Sequence, residues 1–276
     1  MPPRQIMDAQ KIDSLFPGLE RKIKGQRLFF FSDFDGTLAP IRRDPAKVAL
    51  AMRVRNLLKA LTLRMPVAII SGRPLTYLHK IIDMPEIILA GNHGLEINMA
   101  VGKREKFRHP QAVACKEMIH ELALGLKQAI KGARHLQGVR VEDKGLTLTF
   151  HYRAVAPIFR ETSFKIFDEI FKPFQSGALL RIHRGKMCFE VRPNIDWGKA
   201  EAMQWILDAY QNRHGTSFPI YMGDDETDKP AIALAHQMGI SLFKGDSTGR
   251  IAAAEATYCV ETHEEVICFM KHLIVK

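Results

Sequence analysis

Long apolar runs are missing. No stretch of the 276 residues approaches the roughly 18 to 20 apolar positions that a membrane-spanning helix needs. The opening Met1-Pro2-Pro3-Arg4 leads into a polar segment rather than a secretory signal, so a cytoplasmic protein with no membrane partner is expected. Cysteine is scarce as well. Cys115, Cys188, Cys259 and Cys268 are scattered through apolar or periodic segments, with neither metal-ligand pairing nor the density of a disulfide scaffold, and read as reduced, packed thiols. The formal charge of +10 is not gathered into a basic stripe interleaved with aromatics, and no nucleic-acid motif accompanies it. An anionic small substrate accounts for that excess as well as a nucleic acid would.

What is present is enough apolar residue, 46% of the chain, to build a core, over a length comfortable for two domains. The stretch Phe29-Phe30-Phe31-Ser32-Asp33-Phe34-Asp35-Gly36-Thr37 organises the rest. An apolar run ending abruptly in acids reads as a buried parallel strand whose carboxyl end opens into a site. Asp33 and Asp35, two apart, would point the same way, and carboxylates that close repel unless a cation such as Mg²⁺ lies between them. The first can act as a nucleophile and the second as a proton donor to a leaving group. A lone Asp-x-Asp also fits a plain polar loop.

Residues 1 to 26 carry a modest amphipathic signal that predicts one short helix, and the spacing from Lys47 to Arg64 predicts another. Pro66 to Ile70 reads as a strand ending in Ser71-Gly72-Arg73-Pro74, where a hydroxyl and backbone N–H groups at a helix start can hold a phosphate. Ile87 to Ala90 repeats the pattern and runs into a loop, Gly91-Asn92-His93-Gly94-Leu95-Glu96. Strands alternating with helices argue for a Rossmann-like, doubly wound parallel sheet with its site at the carboxyl ends of the strands.

From about Phe107 the pattern changes. A helix over Gln111 to Lys131, a hairpin over Val139 to Arg153 turning at Asp143-Lys144-Gly145, a helix after Pro157 and a hairpin over Leu179 to Pro193 turning at Arg184-Gly185 predict an inserted α+β module. The expected division is 1–106 with 194–276 for the core and 107–193 for the insert. Alternation puts Leu146, Leu148, Phe150 and Tyr152 on one sheet face with Met187, Phe189 and Val191. The other face carries Thr147, Thr149, His151 and Arg153 with Lys186, Cys188, Glu190 and Arg192, which suits either a solvated surface or the roof of a hydroxyl-rich pocket.

After Pro193, a helix opens at Gly198 with Lys199 in its first turn, where a cation opposes the helix dipole and needs a reason. Pro219 to Met222 is a strand ending in Gly223-Asp224-Asp225-Glu226-Thr227-Asp228, four acids in five positions that again call for a cation. Two further short strands follow. Thr262-His263-Glu264-Glu265 has the form of a capping box opening a last helix.

Taken in order, Asp33-Phe34-Asp35-Gly36-Thr37, Ser71, Lys199 and Gly223-Asp224-Asp225 resemble the four motifs of the haloacid dehalogenase-like (HAD) phosphatases. Ile70-Ser71-Gly72-Arg73, Gly91 to Glu96, Val141-Glu142-Asp143-Lys144 with His151-Tyr152-Arg153, Glu190-Val191-Arg192-Pro193, Ile195 to Lys199 and Gly223 to Asp228 narrow the resemblance to the trehalose-6-phosphate phosphatases among them. The chain departs from that pattern at Ala200, where the family commonly has Gly after the motif lysine.

The resemblance implies a HAD-like core with an inserted cap that sets substrate specificity, and an aspartyl-phosphate mechanism. Asp33 would be the nucleophile and Asp35 the acid and base. Ser71 and Lys199 would hold the phosphoryl oxygens, with Thr37, Gly72 and Arg73 at the same end of the substrate. Asp33, the carbonyl of Asp35 and Asp224 would bind Mg²⁺, oriented by Asp225 and Asp228. His93 and Glu96, with Glu142, Lys144, Lys186, Glu190 and Arg192 on the insert, would bind the sugar, and a trehalose-phosphate synthase would be a partner. Three readings stay open beside it: a phosphatase of sucrose phosphate, one of mannosylphosphoglycerate, and a non-catalytic sugar-phosphate sensor or partner subunit, which would be expected to carry a broken acid set where none is broken here.

Overall fold

The protein is described from a computed structural model over residues 14–42, 48–99, 106–175, 177–185, 187–245 and 256–275. Its chain divides into two compact units, Met1–Lys106 with Trp197–Lys276, and Phe107–Asp196 between them. The second crossing lies a few residues past Pro193 because Arg181 holds the segment after the last insert strand, donating to the Ile195 carbonyl at 2.7 Å. No helix among the described residues is long and apolar enough to cross a membrane.

The first unit is built on strand β1, Leu28–Ser32. Its three phenylalanines are fully buried, each contributing about 2–3 kcal/mol by the area it removes from water. They alternate between faces: Phe30 joins the core made with Leu58, Leu78 and Phe269, while Phe29 meets Tyr210 edge to face on the other side at 5.1 Å. Helices therefore cover both faces, and a strand buried on both sides reads as an unbroken apolar run. Beside β1 lie β2 (Val67–Ile70) and β10 (Phe218–Gly223), both parallel to it. The sheet continues through β3 (Ile88–Gly91) on one side, and through β11 (Ile240–Lys244) and β12 (Tyr258–Val260) on the other. With β4 (Glu96–Asn98) and β5 (Lys106–Arg108) the order is β12-β11-β10-β1-β2-β3-β4-β5.

Several boundaries differ from the sequence-based expectation. The helix expected from Lys47 starts at Met52 and ends at Thr62 (α2, after α1 at Leu19–Ile23), since buried Val48 and Leu50 alternate with exposed neighbours in extended chain; Lys47 itself lies outside the described residues. Glu96 begins β4, antiparallel to β3, rather than closing a loop. The capping box stands: the Thr262 hydroxyl accepts from Glu265 N at 3.2 Å, and Glu265 Oε2 accepts from Thr262 N at 2.9 Å.

The second unit is a four-stranded antiparallel sheet ordered β6-β7-β9-β8: β6 Arg140–Asp143, β7 Leu148–His151, β8 Leu180–Gly185 and β9 Cys188–Pro193. The helix expected over 111–131 is two, Pro110–Ala114 and Lys116–Ile130, broken at Cys115. The second of these packs with Arg160–Phe171 on the face of Leu148, Phe150, Phe189 and Val191. Gly185 still pairs with Cys188, so the second hairpin turns after Gly185 rather than at Arg184-Gly185. Register sets Glu142, Thr149, Glu190 and His183 in one row across the opposite face.

Candidate active site

Parallel pairing of β1 with β10 brings two acidic loops together, Ser32 lying beside Met222. Asp33 N donates to the Met222 carbonyl at 2.8 Å, which fixes Asp33 at the strand end with 4% of its surface exposed. Gly36, at φ +93°, turns the loop directly under Asp224, where a Cβ would fall 2.0 Å from Asp224 Oδ2. Gly36→Ala is therefore expected to displace that carboxylate and cost about 2 kcal/mol or more in urea unfolding. Wild-type stability in this variant would mean that the loop does not set the position of Asp224. The Thr37 hydroxyl donates to Asp224 Oδ1 at 3.0 Å.

Lys199 opens helix α7 (Lys199–His214, following α3 at Leu75–Ile82, α4 and α5 at Pro110–Ala114 and Lys116–Ile130, and α6 at Arg160–Phe171). Its ammonium is buried between two acids, 2.7 Å from Asp33 Oδ1 and 2.9 Å from Asp228 Oδ1, which is the reason for a cation at a helix start. Burial alone would pull the ammonium's pKa down; Asp228 and Asp33 outweigh it and hold the group charged. Ala200 does not disturb this reach, and the tight packing falls two residues on, where a Cβ on Gly94 would come 2.2 Å from Ala202. Asp228 takes four donors: Lys199, the Tyr221 hydroxyl at 2.6 Å, and the backbone N–H groups of Asp224 and Asp225 at 3.2 Å each. Its lone pairs are thereby spent on holding the loop. Asp225 accepts from the Thr227 N–H at 2.8 Å and from its hydroxyl.

One oxygen each of Asp33, Asp224 and Asp228 lies within 4.8 Å of the others. Burial raises the Asp33 carboxyl well above its ordinary range, Lys199 pulls it back, and Asp228, Asp224 and Asp225 push it up again. Asp224 is raised to about 7 by burial and by Asp228 and Asp225. Among the described residues, Asp33 Oδ2 and Asp224 Oδ2 accept no hydrogen bond. Two hard, crowded oxygens without donors fit a divalent cation.

The turn after β2 is built from Ser71, almost wholly buried, whose hydroxyl accepts from Arg73 N at 3.2 Å. Gly72 leaves room for the His93 ring, since a Cβ there would come 2.5 Å from Nε2. His93, at φ +58°, donates its backbone N–H to the Ser71 carbonyl at 2.8 Å and so belongs to this turn. Glu96 accepts through Oε1 from Leu75 N at 2.9 Å and from Asn92 Nδ2 at 2.8 Å, binding the turn after β3 to the start of α3. Arg73 grips Asp35 with two bonds of 2.7 Å.

In the second unit, Glu190 is enclosed by Lys144, whose Nζ lies 3.0 Å from Oε1, and by Arg192, whose Nε lies 2.9 Å from Oε2. Lys144 is thus buried in an ion pair rather than solvated in its turn, and Thr149 between the two acids is 3% exposed with no hydroxyl partner among the described residues. Lys186 lies outside the described residues. Glu142 bonds His151 Nε2 at 3.0 Å. Burial pushes the Glu142 carboxyl up, but that bond and the charges of Lys144 and Arg140 bring it down from 4.5 to about 2. A carboxylate depressed by folding stabilises the fold above its unfolded pKa, and the contribution is lost as pH falls through the folded value. Glu142→Gln should therefore cost on the order of 1–2 kcal/mol at pH 7, shrinking as pH falls from about 4.5 towards 2. Urea titrations of both proteins across that range check this, and a difference that stayed constant with pH would contradict it.

Two site groups escaped the sequence reading. Tyr221 was legible only as a buried strand residue, although its place three positions before the first acid of the run was a signal. Trp197, whose Nε1 donates to the Gly94 carbonyl at 2.9 Å, carried none beyond its motif.

Residues 31–258 match the family model of trehalose-phosphatase. The chain is 26% identical over 270 residues to Probable trehalose-phosphate phosphatase E of Arabidopsis thaliana, covering 95% of this chain and 74% of that one. It is 29% identical over 285 residues to Probable trehalose-phosphate phosphatase 9 of Oryza sativa subsp. japonica, covering 94% and 73%. The trehalose-6-phosphate phosphatase C-terminal domain of C. albicans shares the fold, with a TM-score of 0.74 at 20% identity over 93% of this chain and 95% of that chain. With that span matched, the chain belongs to the trehalose-phosphatase family of HAD enzymes.

Proposed function

We propose that the chain hydrolyses trehalose 6-phosphate to trehalose and phosphate with Mg²⁺. The observation that carries this reading is the buried contact of Lys199 with Asp33 beside Asp224, a nucleophile, a cation and a metal-binding acid at one strand edge. An Asp33 oxygen attacks phosphorus, the bond from phosphorus to the sugar oxygen breaks, and that oxygen takes a proton from Asp35. Asp35, now a carboxylate, removes a proton from the water that attacks the aspartyl-phosphate, releasing phosphate and restoring Asp33. Lys199 and Ser71 hold the phosphoryl oxygens and balance their charge. Asp33, the Asp35 carbonyl and Asp224 would hold Mg²⁺, which supplies charge stabilisation at the phosphoryl group. Thr37 and Asp228 orient these ligands. Recognition of the sugar falls to polar residues of the inserted unit, Glu142, Lys144, Glu190 and Arg192, with Lys186.

A panel of trehalose 6-phosphate, sucrose phosphate, mannosylphosphoglycerate and an aryl phosphate tests the reading, assayed for phosphate release after EDTA treatment and after Mg²⁺ is restored. Trehalose 6-phosphate should be the preferred substrate, EDTA should stop its hydrolysis, and Mg²⁺ should both restore it and raise the melting temperature by binding the folded state. Preference for another sugar phosphate would overturn the substrate, and full activity in protein shown by elemental analysis to be metal-free would overturn the metal.

A further inference from the structure

Asp35 sits on the loop after β1 with its side chain 31% exposed, where a carboxylate left to itself samples several rotamers. Arg73 removes that freedom. Its Nε donates to Oδ2 and its Nη2 to Oδ1, each at 2.7 Å, a planar fork that fixes both the place and the plane of the carboxylate. The fork takes one lone pair from each oxygen and leaves the other in a set direction.

The guanidinium is itself held from behind. Its carbon lies 4.7 Å from the centroid of the Tyr77 ring, and the Tyr77 hydroxyl donates to the Val48 carbonyl at 3.2 Å. The Arg73 carbonyl accepts from Asn92 N at 2.8 Å. Gly91 has no space for a side chain, since a Cβ would lie 2.5 Å from Leu75 N and 3.0 Å from the Arg73 carbonyl oxygen. Glu96, tying Leu75 to Asn92, completes a brace whose outer end is the Asp35 carboxylate.

We propose that Arg73 is a positioning residue that aims Asp35 at the leaving oxygen, with Tyr77 and Glu96 as its support, rather than a residue whose main task is to hold the substrate. The proposal rests on the reading of Asp35 as the proton donor. It predicts that losing the fork harms only those esters whose departing oxygen needs the proton: an alkoxide of a sugar does, and p-nitrophenolate does not.

The test compares kcat/KM for trehalose 6-phosphate and for p-nitrophenyl phosphate in wild type, R73M, D35N and R73M/D35N. This ratio ends at phosphoryl transfer to Asp33, so the later work of Asp35 on water does not enter it. R73M should lower kcat/KM for the sugar phosphate by roughly 10- to 100-fold, and by at least tenfold more than for the aryl phosphate. The double variant should lose no more than D35N alone. Equal losses on both substrates would overturn the proposal by making Arg73 a phosphoryl ligand, and so would losses that multiply. Urea unfolding of the same four proteins reads the pair without any assay, and the two substitutions should be non-additive. Additive stabilities would overturn the clamp itself. Non-additive stabilities in a wild type that released no phosphate from trehalose 6-phosphate would uphold the clamp and overturn the function.

Discussion

Asp33→Asn is expected to lower phosphate release by ~1,000-fold or more while the chain stays folded. An amide nearly matches the carboxylate in shape but cannot attack phosphorus and brings no charge to a metal. The fold has no reason to suffer, because Asp33 is one of several acids crowded where burial and Asp228, Asp224 and Asp225 all disfavour its ionised form. Lys199 keeps its partner Asp228 at 2.9 Å. The melting temperature in EDTA should match or exceed that of the wild type. Phosphate release above a small fraction of wild type, from protein shown by mass spectrometry to be free of deamidated material, would remove Asp33 as nucleophile.

Lys199→Met should do the opposite to the fold and the same to the chemistry. The methionine fills most of the lysine's volume, so packing is kept and charge alone is lost. Asp33 and Asp228 would then share a buried region with Asp224 and no ammonium, and removing one partner from a buried ionic network costs about 3–5 kcal/mol. Tyr221, 2.6 Å from Asp228, cannot replace a charge with a hydroxyl. Urea unfolding in EDTA reads the loss directly, and on the role proposed for Lys199 at the phosphoryl oxygens phosphate release should fall with it. A variant within about 1 kcal/mol of wild type would mean that these acids are neutral in the metal-free protein and that the ion pair is not what holds the site together.

These two positions were readable before any coordinates because the sequence marks them chemically: acids at the ends of apolar runs, and a cation where the helix dipole disfavours one. The parallel core was legible for the same reason, since doubly buried strands such as Phe29-Phe30-Phe31 leave no alternation to misread. Short elements were not. The three residues of β4 carry too little pattern to separate a strand from a loop, and Val48 looked helical because an extended segment happened to place its buried residues in phase with α2. The break at Cys115 lies inside a continuous apolar period and leaves no local trace. Arg73 was placed near the phosphate by its neighbours Ser71 and Gly72, but its grip on Asp35 joins residues 38 apart, and no spacing rule reports a contact of that kind. In the insert the polar face was legible from its alternation, whereas the enclosure of Glu190 by Lys144 and Arg192 follows from the pairing of strands and not from any one of them.

The pairing of β1 with β10 also bears on how the chain comes to be folded. Leu28 lies beside Phe218, so one edge of a largely apolar strand made early in synthesis waits for a partner that emerges only after the entire insert. β2 can close the other edge soon after it appears, and the second unit can form its own sheet meanwhile, because domains fold as units. Until residues 218–223 are added, the nascent chain carries an unpaired, uncharged template suited to joining another copy of itself. Arg27 immediately before that strand and the acids immediately after it are the charged boundaries of this template, the kind of flanking charge that blunts an open strand edge.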